Sequence, residues 1–213
     1  MPTHLPQSTP PQTASQNTPT HLAQIRGKLA RHTPRRLADS CDLHHAAVAL
    51  ILREKAAGRE DAILIIRRAE HPRDPWSGHL GFPGGRLEPH DATPERAAVR
   101  ETQEELGLSL DACARFMGSL SEIRARSLSR SLPLSIFPFV YELVEPAALK
   151  RNEEIVETHW IPLGFFLDAA NRSTMPHPRE PEHIMPCYPI GDRAIWGLSL
   201  AMLDELLRDV LGA

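Results

Sequence analysis

The amino-acid sequence predicts a layered domain of the α/β or α+β class. Runs of aliphatic residues of strand length alternate with helical patterns, and segments rich in Pro and Gly separate them. With 213 residues the chain is long enough for one substantial domain and too short for two large ones. We therefore expect one folded domain over residues 21–213. Residues 1–20 are rich in Pro, Thr, Gln and Ser, which predicts a disordered tail.

Each element follows from a local pattern. Aliphatic residues at helical spacing before a proline predict a short helix over residues 21–32, and residues 194–211 predict a final amphipathic helix. Residues 69–87 and 167–193 are predicted to be loops. Apolar or alternating runs predict the strands. The predicted strands are 46–52, 62–67, 115–122, 135–144 and 155–161.

The strongest local signal predicts a helix over residues 94–106. Thr93 is a suitable N-cap, Pro94 stands at the first helical position, and Gly107 follows the last turn. These signals fix the register of the helix, so its side chains can be assigned to faces.

Three carboxylates share one face of this helix, because Glu101, Glu104 and Glu105 are related by i, i+3 and i+4. Most acidic helix faces are simply solvated. Here the glycine pair at residues 84–85 lets the backbone approach closely, and Arg100 can anchor a neighbouring acid. The pattern favours a site for a hard divalent cation, which prefers carboxylate oxygens.

The segment resembles the Nudix box, G-x5-E-x7-R-E-U-x-E-E-x-G-U, in which U is aliphatic. The matching residues are Gly85, Arg100, Glu101, Glu104, Glu105, Gly107 and Leu108. Two departures are visible: Asp91 replaces the first glutamate with one extra residue before Arg100, and Thr102 replaces an aliphatic residue. The resemblance implies a Nudix hydrolase with an α/β/α sandwich, a mixed central sheet and metal-dependent cleavage of a diphosphate.

The extra residue and the aspartate are similar to the coenzyme A pyrophosphatase branch. Residues 64–68 and 78–85 stand in the two parts of that branch's upstream signature, with a longer loop between them. Glu88 or Asp91 must serve as the acid of that signature. This resemblance implies coenzyme A or its derivatives as substrate, cleaved to 3′,5′-ADP and phosphopantetheine.

The resemblance also implies roles for individual residues. Glu101, Glu104 and Glu105 are expected to bind Mg²⁺ or Mn²⁺, with the Gly85 carbonyl completing the coordination sphere. Arg100 is counted with the catalytic residues because it can anchor a neighbouring acid.

The general base and the phosphate contacts are less constrained by the sequence. Glu104 and Glu122 are the candidate bases, followed by Glu154. A planar guanidinium matches phosphate oxygens in pairs, so three arginines are expected to contact substrate. They are Arg67, Arg86 and Arg124. Trp76 is a candidate for stacking on a base, and residues 175–189 are a candidate lid or specificity loop.

Charge and composition bound the partners. The chain carries 24 Lys and Arg against 27 Asp and Glu, so no overall attraction to nucleic acid is expected. The arginine-rich loop at residues 124–130 is the only weak candidate for that role. No run of residues is apolar enough to cross a membrane. We expect a small nucleotide substrate, no nucleic acid and no membrane, with a homodimer as an open alternative.

The three cysteines show no paired spacing, which is typical of reduced thiols in a cytoplasmic protein. A mitochondrial address stays open as a minor alternative, because the N-terminal region carries several arginines and few acids.

Three other functions compete with coenzyme A hydrolysis. An ADP-ribose or dinucleotide hydrolase keeps the same chemistry. An isopentenyl-diphosphate isomerase needs a Cys and Glu pair, for which the cysteines here have no matching context. A non-catalytic regulatory module usually loses box carboxylates, whereas this chain retains all three.

Overall fold

A computed structural model describes residues 20–54, 60–71, 76–125 and 133–212 of the chain. The helices are α1 (His21–Leu29), α2 (Pro94–Leu106), α3 (Leu110–Cys113), α4 (Leu163–Leu167) and α5 (Gly197–Asp204), with single 3₁₀ turns at Ser40–Asp42 and Ala169–Asn171 and a π-helical segment at Glu205–Leu211. The strands are β1 (His44–Arg53), β2 (Ala62–Arg68), β3 (Leu80–Gly81), β4 (Gly84–Arg86), β5 (Ala114–Ser119), β6 (Ile123–Ala125), β7 (Leu134–Leu143), β8 (Ile155–Pro162), β9 (Ser173–Pro176), β10 (Ile184–Ile190) and β11 (Arg193–Trp196).

The main sheet is mixed. Its order is β3-β2-β1-β7-β5, with β4 paired to β1, β6 to β7 and β8 to β2. The long central pair β1 and β7 is parallel, and the other pairs are antiparallel. In the part of the chain that is described, β9, β10 and β11 form a second, antiparallel sheet.

Helices cover both faces of the main sheet. Alternate residues of a strand point to opposite faces, so Leu50 and Ile63 pack with α1 and α5, whereas Ile51 and Leu64 pack with α2. All four side chains are fully buried, and each contributes about 2 kcal/mol of hydrophobic stabilisation. Burial on both faces explains why these strands are continuous apolar runs rather than alternating ones. The predicted α/β/α architecture with a mixed sheet is confirmed.

Three predicted segments differ from the structure. The loop predicted over residues 69–87 contains two short strands, because β3 pairs with β2 and β4 pairs with β1. The loop predicted over residues 167–193 is wrong, because β9 and β10 lie within it. Pro186 and Pro189 lie inside β10, the middle strand of its sheet. A proline inside a run normally argues against a central strand. The final helix begins at residue 197, three residues later than predicted, because residues 193–196 form β11.

Part of the predicted organisation lies outside the described residues. This holds for the tail up to residue 19 and for residues 126–132 of the arginine-rich loop. Thr20, assigned to the tail, caps α1 through its hydroxyl, which accepts a hydrogen bond from the Ala23 N–H. No helix within the described ranges is long and apolar enough to cross a membrane.

Candidate active site

Helix α2 is fixed at both ends by the signals that predicted it. The Thr93 hydroxyl accepts a hydrogen bond from the Arg96 N–H at 3.3 Å, and Gly107 ends the helix with a left-handed φ of 63°. Ala97 and Ala98 are fully buried, and α2 packs on β1 and β4. This packing presents the glutamate face of the helix to β4.

Two glycines of β4 meet this face, and each is required for a different reason. Gly84 has φ of 147°, and a Cβ there would lie 2.2 Å from the carbonyl oxygen of Ala47 on β1. A Cβ at Gly85 would instead lie 2.4 Å from the carboxyl carbon of Glu101. Gly84 therefore permits the pairing of β4 with β1, whereas Gly85 leaves room for a carboxylate.

Glu105 is the buried member of the carboxylate group, with its side chain 1% exposed. It accepts hydrogen bonds from the Gly84 N–H at 2.9 Å and from Nη1 of Arg68 at 3.2 Å. Burial raises the pKa of Glu105 to about 7 even though both donors favour the charged form. The carboxylate is thus poised to ionise when a cation approaches.

Arg100 connects the acids of the site. Its Nε and Nη2 donate to the two oxygens of Asp91 at 3.1 and 3.0 Å, and Nη2 also donates to the Arg86 carbonyl at 3.0 Å. Nη1 donates to Glu101 at 2.9 Å and to Glu104 at 3.0 Å. The two hydrogen bonds from Arg100 to Asp91 hold the pKa of Asp91 below its usual range. Arg100 is therefore a positioning residue for the glutamates.

The donor set fits a hard divalent cation, because all of its atoms are oxygens. Within the described residues no group of three acidic, His or Cys side chains converges on one point, since Arg100 lies between Glu101 and Glu104. The Glu104 side chain is 54% exposed, and burial raises the pKa of Glu101. Arg100 contacts one oxygen of Glu101 and one of Glu104, so the second oxygen of each carboxylate could bind a cation.

A cleft of about 1120 Å³ opens from this carboxylate group. Glu154 also lines it, and the charge of Glu154 contributes to the raised pKa values of Glu101 and Glu105. The chain before Glu154 is attached to the end of α2, where the Asn152 N–H donates to the Glu105 carbonyl at 2.9 Å. The structure thereby brings a fourth acid to the group.

Glu122 and Arg124 do not line this cleft. The Glu122 side chain is 3% exposed and accepts hydrogen bonds from the Leu37 N–H and the Ser135 hydroxyl, each at 3.2 Å. Arg124 forms an ion pair with Asp39. These contacts lie within the fold and outside the cleft, so the structure does not bring the two predicted site residues to the glutamates.

Arg67 also points elsewhere, and its neighbour lies at the site instead. Arg67 pairs with Glu157 at 2.7 Å, whereas Arg68 lines the cleft and binds Glu105. Side chains alternate along β2, so Arg68 lies on the same face as Leu64 and Ile66, which pack with α2, and Arg67 lies on the opposite face. Arg86, another predicted phosphate contact, lines the cleft.

The sequence left open whether Glu88 or Asp91 is the acid of the upstream signature, and the two differ in their surroundings. Asp91 is 3% exposed and holds Arg100, whereas Glu88 is 53% exposed. Trp76 lines the cleft, as do His177 and Arg179 from the segment that the sequence marked as a candidate specificity loop. Arg68, His177 and Arg179 were not singled out as substrate contacts.

Comparison with known proteins identifies the family. The sequence profile of the NUDIX domain matches residues 43–179. An uncharacterized protein of Schizosaccharomyces pombe is 35% identical over 108 residues, which are 49% of this chain and 33% of that protein. The uncharacterized Nudix hydrolase NudL of Yersinia enterocolitica is 27% identical over 191 residues, 89% of this chain and 93% of NudL.

A relative with a named substrate is the peroxisomal coenzyme A diphosphatase ndx-8 of Caenorhabditis elegans. It is 30% identical over 131 residues, 61% of this chain and 53% of that protein. The match therefore spans about half of ndx-8 and a third of the S. pombe protein, but nearly all of NudL.

Proposed function

This chain belongs to the Nudix family, and from that premise we propose that it hydrolyses the diphosphate of coenzyme A or its derivatives. The products are 3′,5′-ADP and phosphopantetheine. Nudix hydrolases generally use divalent metals, and the proposed ion here is Mg²⁺ or Mn²⁺.

The observation that carries the proposal is the close approach of the Glu101 carboxylate to Gly85. The buried Glu105 lies on the same face of α2, and all three residues line the cleft. This arrangement supports Glu101, Glu104 and Glu105 as metal ligands, with the Gly85 carbonyl beside them. A bound ion supplies charge neutralisation of the diphosphate and acidifies water. The oxygens are held for that purpose by Arg100.

The chain's own residues then do the remaining work. Glu104 and Glu154 are the proposed proton acceptors for the attacking water, because both line the cleft and an acceptor must be within reach of the proton it takes. Glu154 follows a segment that is hydrogen-bonded to α2, so its backbone is held beside the metal ligands. Arg86 lines the same end of the cleft and is the proposed phosphate contact.

The shape of the cleft supports a substrate with one long, uncharged arm. Its lining includes the apolar side chains of Leu80, Phe82, Leu134, Ile136 and Leu198. Coenzyme A carries such an arm, and the relative ndx-8 is named for this substrate.

The cytoplasmic location, the lack of nucleic-acid partners and the homodimer stay predictions. The three cysteines are free thiols, which supports a reducing compartment. Light scattering of the eluted protein during size-exclusion chromatography gives the number of subunits directly.

A substrate panel tests the proposed function. Purified protein is incubated with coenzyme A, acetyl-coenzyme A, ADP-ribose, NADH and diadenosine polyphosphates, with Mg²⁺ or Mn²⁺, and products are read by mass spectrometry. We expect 3′,5′-ADP from coenzyme A, and loss of this product in Glu104→Gln. Cleavage of only ADP-ribose or a dinucleotide would show that the chain acts on a different substrate from the one proposed. The absence of any metal-dependent product would refute the proposal.

A further inference from the structure

The residues that line the cleft include four aromatic side chains: Trp76, His79, His177 and Trp196. They come from three segments of the chain, because Trp76 and His79 both lie in the stretch before β3. Trp196, at the end of β11, has its ring centroid 5.1 Å from that of His79 and 5.4 Å from that of His177. Aromatic residues make up only 5% of this chain, yet two of its three tryptophans line this cleft. Such a concentration of aromatic rings favours binding of a planar ligand.

The loop between β9 and β10 forms part of this wall and has a defined shape. Nδ1 of His177 accepts hydrogen bonds from the N–H groups of Arg179 and Glu180, at 3.3 and 3.1 Å. The His177 N–H donates to the His183 carbonyl at 2.8 Å, and the His183 N–H donates to the Glu180 carbonyl at 2.9 Å. Since Nδ1 accepts, the ring proton lies on Nε2. The loop is thus a folded turn that fixes the His177 ring against Trp196.

The same turn contributes a cation to the cleft. Arg179 is exposed and lines the cleft. Arg68 and Arg100, which also line it, bind the carboxylates of α2, and Arg86 adjoins Gly85 on β4. Arg179 is thus a cation that the loop between β9 and β10 contributes to the wall of the cleft.

We propose that Trp196, His177 and Arg179 form a nucleotide subsite, in which the rings pack against the adenine and Arg179 binds the 3′-phosphate. The proposal rests on the proposed function and names the residues that select its substrate. Stacking on an aromatic ring holds any base, whereas a guanidinium adds selectivity for the extra phosphate. The subsite thereby distinguishes coenzyme A from compounds that lack the 3′-phosphate.

Calorimetric titration with 3′,5′-ADP and with 5′-AMP tests this inference without requiring turnover. The variants are Arg179→Ala, Trp196→Leu and Trp196→Phe. The matched control is Arg208→Ala, since Arg208 is exposed and lines a different pocket. Thermal unfolding of each variant shows whether the fold is retained.

We expect wild type to prefer 3′,5′-ADP, and Arg179→Ala to weaken 3′,5′-ADP by about tenfold while leaving 5′-AMP unchanged. Trp196→Leu should weaken both ligands by about tenfold, and Trp196→Phe should restore most of that binding. Equal affinity of wild type for the two ligands, or an unchanged preference in Arg179→Ala, would overturn the phosphate assignment. Unchanged affinities in a folded Trp196→Leu would overturn the stacking assignment. Binding results of the expected kind with no hydrolysis would refute the proposed function alone.

Discussion

Gly85 and Glu101 are so close that a Cβ built on Gly85 would lie 2.4 Å from the carboxyl carbon of Glu101. The atoms in conflict are at the flexible end of a side chain. At the neighbouring Gly84 the conflict is with backbone, because a Cβ would lie 2.2 Å from the Ala47 carbonyl oxygen. Gly85 is therefore needed for the geometry of the candidate site, whereas Gly84 is needed for the fold.

Substituting these glycines should give opposite results. Gly85→Ala should displace the Glu101 carboxylate and lower kcat by about 10- to 100-fold with little change in the unfolding temperature. Gly84→Ala should lower the unfolding free energy by about 2 kcal/mol or more, because its φ of 147° is also unfavourable for alanine. Thermal unfolding and initial rates measured on both proteins check this. A large loss of stability in Gly85→Ala with normal activity would contradict it.

Substitution of Arg100 by lysine should impair catalysis, because an ammonium group cannot reproduce the paired contacts of Arg100 with Asp91. We expect Arg100→Lys to lower kcat by about 10- to 100-fold, measured as initial rates at saturating substrate. Arg96→Lys is the matched control on the same helix. Arg96 makes two similar contacts with Asp111, at 2.8 Å each, but both side chains are exposed. Arg96→Lys should therefore lower the unfolding free energy by about 0.5 kcal/mol or less and leave kcat unchanged. Equal effects of the two substitutions would argue against a positioning role for Arg100.

Glu105 should give the metal-free protein a pH-dependent stability. Burial raises its pKa from 4.5 to about 7, so the unfolding free energy falls as pH rises through that interval. In chelator, wild type should lose stability relative to Glu105→Gln as the pH rises from 4.5 to about 7. Added Mg²⁺ or Mn²⁺ should reverse the loss, because the ion binds the ionised carboxylate. Parallel stability curves for the two proteins would show that Glu105 does not titrate there.

Substitution of Glu154 should affect catalysis, whereas substitution of Glu122 should affect stability. Glu154→Gln should lower kcat by about 100-fold or more if it takes the proton from water, without loss of stability at its exposed position. Glu122→Gln should lower the unfolding free energy by about 1 to 3 kcal/mol, because its buried carboxylate accepts from Leu37 and Ser135. Rates and unfolding curves of both variants check the pair of expectations. The reverse pattern would restore Glu122 as the candidate base.

Local signals explain why some of the fold was predictable. Helix α2 spans the predicted residues because its cap, its proline and its terminal glycine all lie within the segment. The strand β10 was missed because its prolines contradict a central strand, and only pairing with β9 and β11 reveals it.

The same distinction holds for the candidate site. The three glutamates, Arg100 and Gly85 were predictable because they are close in sequence. The choice of Arg68 over Arg67 depends on which face of β2 packs against α2, and the positions of Glu154 and Arg179 depend on tertiary packing. Sequence spacing carries no information about such contacts.

Binding of Mn²⁺ and turnover of coenzyme A, measured on the same samples, test the central claim most directly. Electron paramagnetic resonance gives the bound Mn²⁺, and mass spectrometry gives 3′,5′-ADP. Wild type should bind the ion and release 3′,5′-ADP, and the double variant Glu101→Gln with Glu105→Gln should lose both. Glu88→Gln, at an exposed position in the same cleft, should retain both. Turnover that persists in chelator, or a double variant that binds Mn²⁺ and hydrolyses coenzyme A like wild type, would contradict a metal site on these glutamates.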